Sequence, residues 1–257
     1  MSDDNDKQHE ELLRKALLKA HFQSDEDPTA ALVSELSSIV LPDRVFEHPG
    51  LEKPVRLQQK FVLTSDAEPD VTGAWVWDSA PYVADWLITA PEAAGMLVGR
   101  SVLELGAGLG LCSIVLAQLG AERVTLTDGE SSVVEVAAAN VALNNAVAVH
   151  AATLRWGSCE TEQATAVIKA AAASMVVASD VLYEETGIDE LEQTLRGLIR
   201  RGGVRHVIIG WRERGHDEEG FFERMRDLGS AVTARSTTDS EGRRKGVSVF
   251  TVGESSA

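Results

Sequence analysis

A chain of 257 residues that is 44% hydrophobic can bury a full core, and its length fits one large domain with an added N-terminal segment. With 40 acidic residues against 24 basic ones the formal charge is −16, which disfavours nucleic acid and anionic membrane and favours basic partners or simple solubility. The two cysteines, Cys112 and Cys159, have no neighbours at metal-ligand spacing, so neither a disulfide framework nor a metal site is expected.

The opening MSDDNDKQHEE is acidic and polar, unlike a signal or transit peptide, and no apolar run reaches membrane length, so a reducing cytoplasmic setting is expected. Residues 7–23 place Leu13, Leu17 and Ala20 on one helical face, and Asp27–Pro28 starts a second helix to about residue 38. From Arg44 to Leu63, a Pro49–Gly50 turn and the alternation in VRLQQKFVL predict a hairpin. Residues 1–70 thus read as an N-terminal helical and hairpin extension, and 71–257 as the main domain. In TGAWVWDSAPYVADWL, Thr72–Gly73 make a flexible lead-in, Trp75 and Trp77 stand on an extended piece, and Ser79 to Ile88 are helical. Spacing alone favours a core role for both tryptophans over covering a cofactor.

Ser101 to Gly110, SVLELGAGLG, is a short apolar run that ends on a carboxylate and breaks into glycines at 106, 108 and 110. It predicts a buried parallel strand, a tight turn open to a ligand, and a helix over 109–119. A dinucleotide turn, G-x-G-x-x-G, would hold a pyrophosphate on the helix N-terminus. Leu111 stands at its third glycine, and Glu104 at the strand end would repel the phosphates. A carboxylate there suits a cation, and S-adenosylmethionine carries a sulfonium, an ammonium and no phosphate. Arg123 to Thr127 is the second strand and ends at Asp128, 20 residues beyond Gly108, where an acid can accept both ribose hydroxyls.

Ser131–Ser132 cap the next helix, to about Leu143, with Asn140 and Asn144 on one face expected to cap its end. Val147 to Thr153 is a third strand, followed by a loop whose Trp156 either stacks on a purine or anchors the loop. Glu162 to Ala173 is helical, and Ser174 to Ser179 is an apolar strand meeting Asp180-Val181-Leu182-Tyr183. Leu191, Leu195, Leu198 and Ile199 share a helix face stopped by Gly202–Gly203, and HVIIGW is a fifth strand. A helix from Asp217 buries Phe221, Met225 and Leu228. Ala231–Arg235 and Gly246–Val252 then complete seven strands as an edge hairpin. This alternation predicts an α/β fold, a doubly wound and mostly parallel seven-stranded sheet with ligands at the carboxyl ends of its strands.

In this order, TGAWVWDSA ahead of VLELGAGLGL, the LRWG loop, and SDVLY at the fourth strand's end resemble the seven-β-strand, class I S-adenosylmethionine methyltransferases, which are Rossmann-like. Within them the resemblance is to the protein lysine methyltransferases that modify chaperones and translation elongation factors, and it covers roughly residues 70–252. It implies that Trp77 approaches the cofactor, that Gly106, Ala107 and Gly108 form its turn, that Asp128 binds ribose, and that Trp156 and Ser179 border the adenine. Asp180 and Tyr183, matching D-x-x-Y, would face the methyl acceptor, and WRERG would bring Arg214 and Trp211 to the acceptor side. The implied activity is methylation of a lysine side chain of a protein, such as a chaperone or translation factor, by a monomer using S-adenosyl-L-methionine and no metal. Val181 and Leu182 stand where amino-group methyltransferases acting on adenine or glutamine carry two prolines, which argues against that branch. A small-molecule methyltransferase, or a cofactor-binding protein without turnover, would share the same cofactor half and stays open.

Overall fold

Five short runs, most of them rich in Val, Leu or Ile, become parallel strands: β5 (Ser101–Leu105), β6 (Arg123–Asp128), β7 (Val149–Thr153), β8 (Met175–Ser179) and β9 (His206–Arg212). They are seen in a computed structural model that describes residues 43–60, 62–63, 69–70, 75–77, 79–157, 159–201, 203–215, 218–238 and 242–252. Both expected N-terminal helices and the Thr72–Gly73 lead-in lie outside these residues. Helices α3 (Leu111–Gln118), α4 (Ser131–Leu143), α5 (Glu162–Ala171) and α6 (Glu185–Arg200) join the strands in turn, and α7 (Glu218–Met225) follows β9. The last two strands, β10 (Gly229–Thr238) and β11 (Arg244–Val252), form an antiparallel hairpin, and the whole sheet runs β10-β11-β9-β8-β5-β6-β7. The expected doubly wound, mostly parallel seven-stranded sheet is thus observed. The hairpin strands are longer than their apolar cores suggested because the ladder runs out to Thr238 and Arg244.

Side chains of successive strand residues point to opposite faces, and both faces of this sheet are covered. Val102, Val124 and Ile208 pack with α1 (Ser79–Thr89), α2 (Pro91–Leu97) and α3. Leu103, Leu105, Val207 and Ile209 pack with α5, α6 and α7. In α6 the buried residues Ile188, Leu191, Leu195 and Leu198 recur every three or four positions, so one stripe faces the sheet while acids and arginines face water.

The N-terminal hairpin is held in an unexpected way. Strands β1 (Arg44–Phe46) and β2 (Val55–Leu57) pair as predicted around the Pro49–Gly50 turn, and Val55 and Leu57 are buried in the α1–α3 core. A further two-residue pair joins β3 (Val62–Leu63) to β4 (Pro69–Asp70). Among the described residues no strand of the main sheet pairs with β2, so the outer backbone groups of β2 and its flanks need other partners. Side-chain amides supply them. Gln118 bonds both N–H and C=O of Lys53, each at 3.1 Å. Asn144 does the same for Arg56, at 2.9 and 2.6 Å, and Asn140 for Gln58, at 2.8 and 3.2 Å. The expectation that the two asparagines cap their helix holds for Asn144, the C-cap residue of α4, and is corrected for Asn140. Asn144 does reach the Asn140 carbonyl, at 2.7 Å, but both amides chiefly imitate a neighbouring strand. Glu130, not Ser131, is the N-cap residue of α4.

Candidate active site

The glycine turn between β5 and α3 is shaped by its neighbours. Gly106 has φ +64°, and a Cβ there would lie 2.8 Å from Trp156 Cζ2 and 3.0 Å from Val181 Cγ1, so a side chain is excluded twice over. Gly108 also has a positive φ, but a Cβ built on it meets nothing within 4 Å, so this backbone faces open space. The turn is tied to the neighbouring strand end. Ala107 N–H donates to the Thr127 carbonyl at 2.9 Å, and Gly108 N–H donates to Asp128 Oδ2 at 3.0 Å. Glu130 N–H approaches the other oxygen, Oδ1, at 3.4 Å. The Asp128 carboxylate is thus oriented by main chain at the mouth of the turn.

Above these strand ends lies a cavity of about 340 Å³, within the size range of small-molecule sites. Trp77, Gly106, Ala107, Gly108, Asp128, Trp156, Ser179, Asp180 and Tyr183 all line it. In the sheet order Asp180 directly follows β8 and Asp128 ends β6, one strand on either side of β5, so two strand spacings of about 4.8 Å separate those strands. Sequence reasoning missed Trp75, Glu130, Arg155, Glu184 and Glu190, which also line the cavity. Glu130 and Arg155 were findable as immediate neighbours of Asp128 and Trp156, and they form an ion pair across the β6 and β7 loops. Glu184 and Glu190 had no signal beyond following the Asp180–Tyr183 stretch.

Glu104 is the expected site residue that does not line the cavity, and its placement corrects the idea of a carboxylate exposed to the ligand. Alternation along β5 turns it away from Leu103 and Leu105, beneath the turn and toward α3, where it is fully buried. Ser113 Oγ donates to its Oε2, while Oε1 has no well-formed hydrogen bond. Burial, only partly offset by the Ser113 bonds, pushes its pKa up to about 7. Trp211 is likewise displaced from expectation. Its indole N–H donates to Ser248 Oγ at 3.0 Å and its ring packs edge-on to Phe222. It belongs to the α6–α7 core and does not line the cavity.

The other end of the cavity is built on strain. Asp180 is a non-glycine residue at φ +60°, held there by its N–H, which donates to the Gly210 carbonyl at 2.9 Å. Its side chain is only 4% exposed. Arg214 Nη1 donates to Oδ1, and Oδ2 is buried with no hydrogen-bond partner. Tyr183 stands at the rim, 40% exposed. Among the described residues no cluster of His, Cys, Asp and Glu could hold a metal ion, and no helix is long and apolar enough to cross a membrane.

These features suit S-adenosylmethionine. Open space at Gly108 admits a ligand against the backbone, the oriented Asp128 carboxylate can accept two hydroxyls, and the buried Asp180 oxygen with unmet acceptor capacity matches an amine-bearing chemistry. A profile described as lysine methyltransferase matches residues 57–228. The chain belongs to the lysine methyltransferase family. It is 28% identical over 226 residues to the mouse protein-lysine N-methyltransferase EEF2KMT, covering 80% of this chain and 64% of that one. To the zebrafish protein N-lysine methyltransferase METTL21A it is 33% identical over 191 residues, covering 73% and 82%. The chain thus spans 64% of the mouse relative's length, and 40% to 55% of three others. Among solved structures, a magnesium protoporphyrin IX methyltransferase from Synechocystis matches with TM-score 0.50 and 18% identity over 68% of this chain and 82% of that one, a likeness of fold. The family match begins at Leu57, the last residue of β2, whose side chain is buried in the main core.

Proposed function

We propose that this chain is an S-adenosylmethionine-dependent methyltransferase that modifies a lysine side chain of a protein. The observation that carries the reading is one cavity that joins an oriented Asp128 beside an open glycine turn to a buried, unpartnered oxygen of Asp180. S-adenosylmethionine would supply a methyl group made electrophilic by the sulfonium. Asp128 would accept the ribose hydroxyls, Trp156 and Ser179 would border the adenine, and Trp77 would close the near wall. Glu104 would act from beneath the turn, its charge developing as a cation settles above it. Asp180 Oδ2 would accept an N–H of the acceptor amine and aim its lone pair, and Tyr183 would shape the channel mouth. Holding both reactants in line removes most of the entropic barrier. Deprotonation is the remaining cost, because making a lysine of pKa about 10.4 neutral at pH 7 costs about 4.6 kcal/mol at roughly 1.36 kcal/mol per unit.

Names of the relatives support a protein substrate. A chaperone or translation factor as acceptor, a monomeric state, a cytoplasmic location and the division near residue 70 belong to the same proposal. Isotope-labelled S-adenosylmethionine added to a methylation-poor lysate with the purified protein, followed by mass spectrometry of labelled bands, tests it. Labelled lysine in a discrete protein is the expected result; label confined to small molecules would sink the protein-substrate reading. Asp180→Ala should abolish that labelling while S-adenosylhomocysteine binding, measured by calorimetry, changes little. Asp128→Ala should do the reverse, weakening cofactor binding at least tenfold, about 1.4 kcal/mol.

A further inference from the structure

The cavity contains few cations. From the end of β6 and the β6–α4 loop it is faced by Asp128 and Glu130, from the loop after β8 by Asp180, Tyr183 and Glu184, and from α6 by Glu190. Against these stand Arg155 after β7 and Arg214 after β9, and from the Trp75–Trp77 wall no titratable group. Arg155 pairs with Glu130, and its side chain is 58% exposed. Arg214 is different, because its side chain is 22% exposed and points to a carboxylate that is almost wholly buried. Its own backbone is fixed as well, since Arg214 N–H donates to Oε1 of the buried Glu218 at 2.7 Å.

Acting alone, Asp180 would work against the reaction. A bare buried carboxylate beside an amine favours the ammonium form, and an ammonium has no lone pair to give. Neutralised on one oxygen by a guanidinium, the same carboxylate can still orient an N–H through its other oxygen without holding a positive charge there. Resting on the methyltransferase reading above, we propose that Arg214 is the charge-compensating residue of the site, so that the acceptor amine docks as the free base. In the transfer the amine nitrogen forms a bond to the methyl carbon as the carbon–sulfur bond breaks, with that electron pair returning to sulfur. The sulfonium becomes a thioether, the new ammonium carries the charge, and it sheds one proton to water. Repulsion from Arg214 then favours that proton loss and the departure of the product.

A bisubstrate probe tests this without knowing the natural acceptor. It is an S-adenosylhomocysteine analogue in which carbon replaces sulfur and bears a 4-aminobutyl arm, compared by calorimetry with S-adenosylhomocysteine itself from about pH 7 to 10. In the wild-type protein the affinity ratio of probe to S-adenosylhomocysteine should rise about tenfold per pH unit, because only the free base is taken. In Arg214→Gln the ratio should stay flat or fall with pH, and Arg214→Lys, which keeps the charge, should recover part of the slope. Each ratio is internal to one protein, so a general loss of cofactor affinity cancels. Identical slopes in wild type and Arg214→Gln overturn the proposal. A flat wild-type profile overturns it alone, even if the glutamine variant fails to fold. Failure of the wild type to bind S-adenosylhomocysteine would instead refute the cofactor reading, and this proposal with it.

Discussion

Glu104 shows how a single buried carboxylate links stability to pH. Its pKa rises from 4.5 unfolded to about 7 folded, so between those values only the folded state keeps the proton. Stability conferred by that proton is complete below pH 4.5, falls as pH rises through the interval and levels off above about 7. The full loss is about 3 kcal/mol at roughly 1.4 kcal/mol per unit. Urea denaturation across this range should show that fall in the wild type and its absence in Glu104→Gln. A cation bound over the turn stabilises the ionised form, so the Tm increase given by S-adenosylmethionine should grow between about pH 6 and 8, and Glu104→Gln should abolish the growth. At Gly106, alanine meets both a positive φ and the Trp156 ring, and should cost about 1–3 kcal/mol together with cofactor affinity. Asp128, Trp156 and Asp180 were legible as residues because their types follow strand ends. The inward turn of Glu104 was legible only in part: alternation gives its face, but not which helix covers that face.

At the scale of elements, β5, β8 and β9 were readable from their largely apolar runs, β6 and β7 from their place between helical stripes and turn residues. The amide ladder was not, since Gln118, Asn140 and Asn144 meet residues 65 to 88 positions away. Nothing local marks an asparagine as a substitute for a missing strand. Asn140 also donates to the Leu109 carbonyl at 3.2 Å, and Gln59, next to its partner Gln58, accepts from Val76 N–H at 3.2 Å. One side chain thus ties the glycine turn to the hairpin, and the hairpin is tied to the tryptophan wall. Asn140→Ala removes both bonds to the Gln58 main chain and takes the partner from the carbonyl of buried Leu109, and should destabilise the fold by about 1–3 kcal/mol. Hydrogen exchange at the Gln58 amide should accelerate far more than at amides of β8.

For the whole molecule, the formal charge of −16 acts on encounter rather than on chemistry. Raising ionic strength from about 0.1 to about 1 M shortens the screening length from about 10 to about 3 Å. A basic acceptor should then bind about tenfold more slowly, raising KM while kcat holds. Steady-state kinetics on the labelled protein at both salt concentrations would measure this.

The position of β11 has a different consequence. It lies between β9 and β10, although it follows both in the chain. During synthesis, therefore, β9 keeps a bare edge and β10 has no neighbour until residues 244–252 have left the ribosome. Until then the nascent sheet stays open on that side. Stalled or prematurely terminated products ending before Arg244 should accumulate as aggregation-prone, chaperone-bound species, whereas chains that include β11 should escape together as soluble protein.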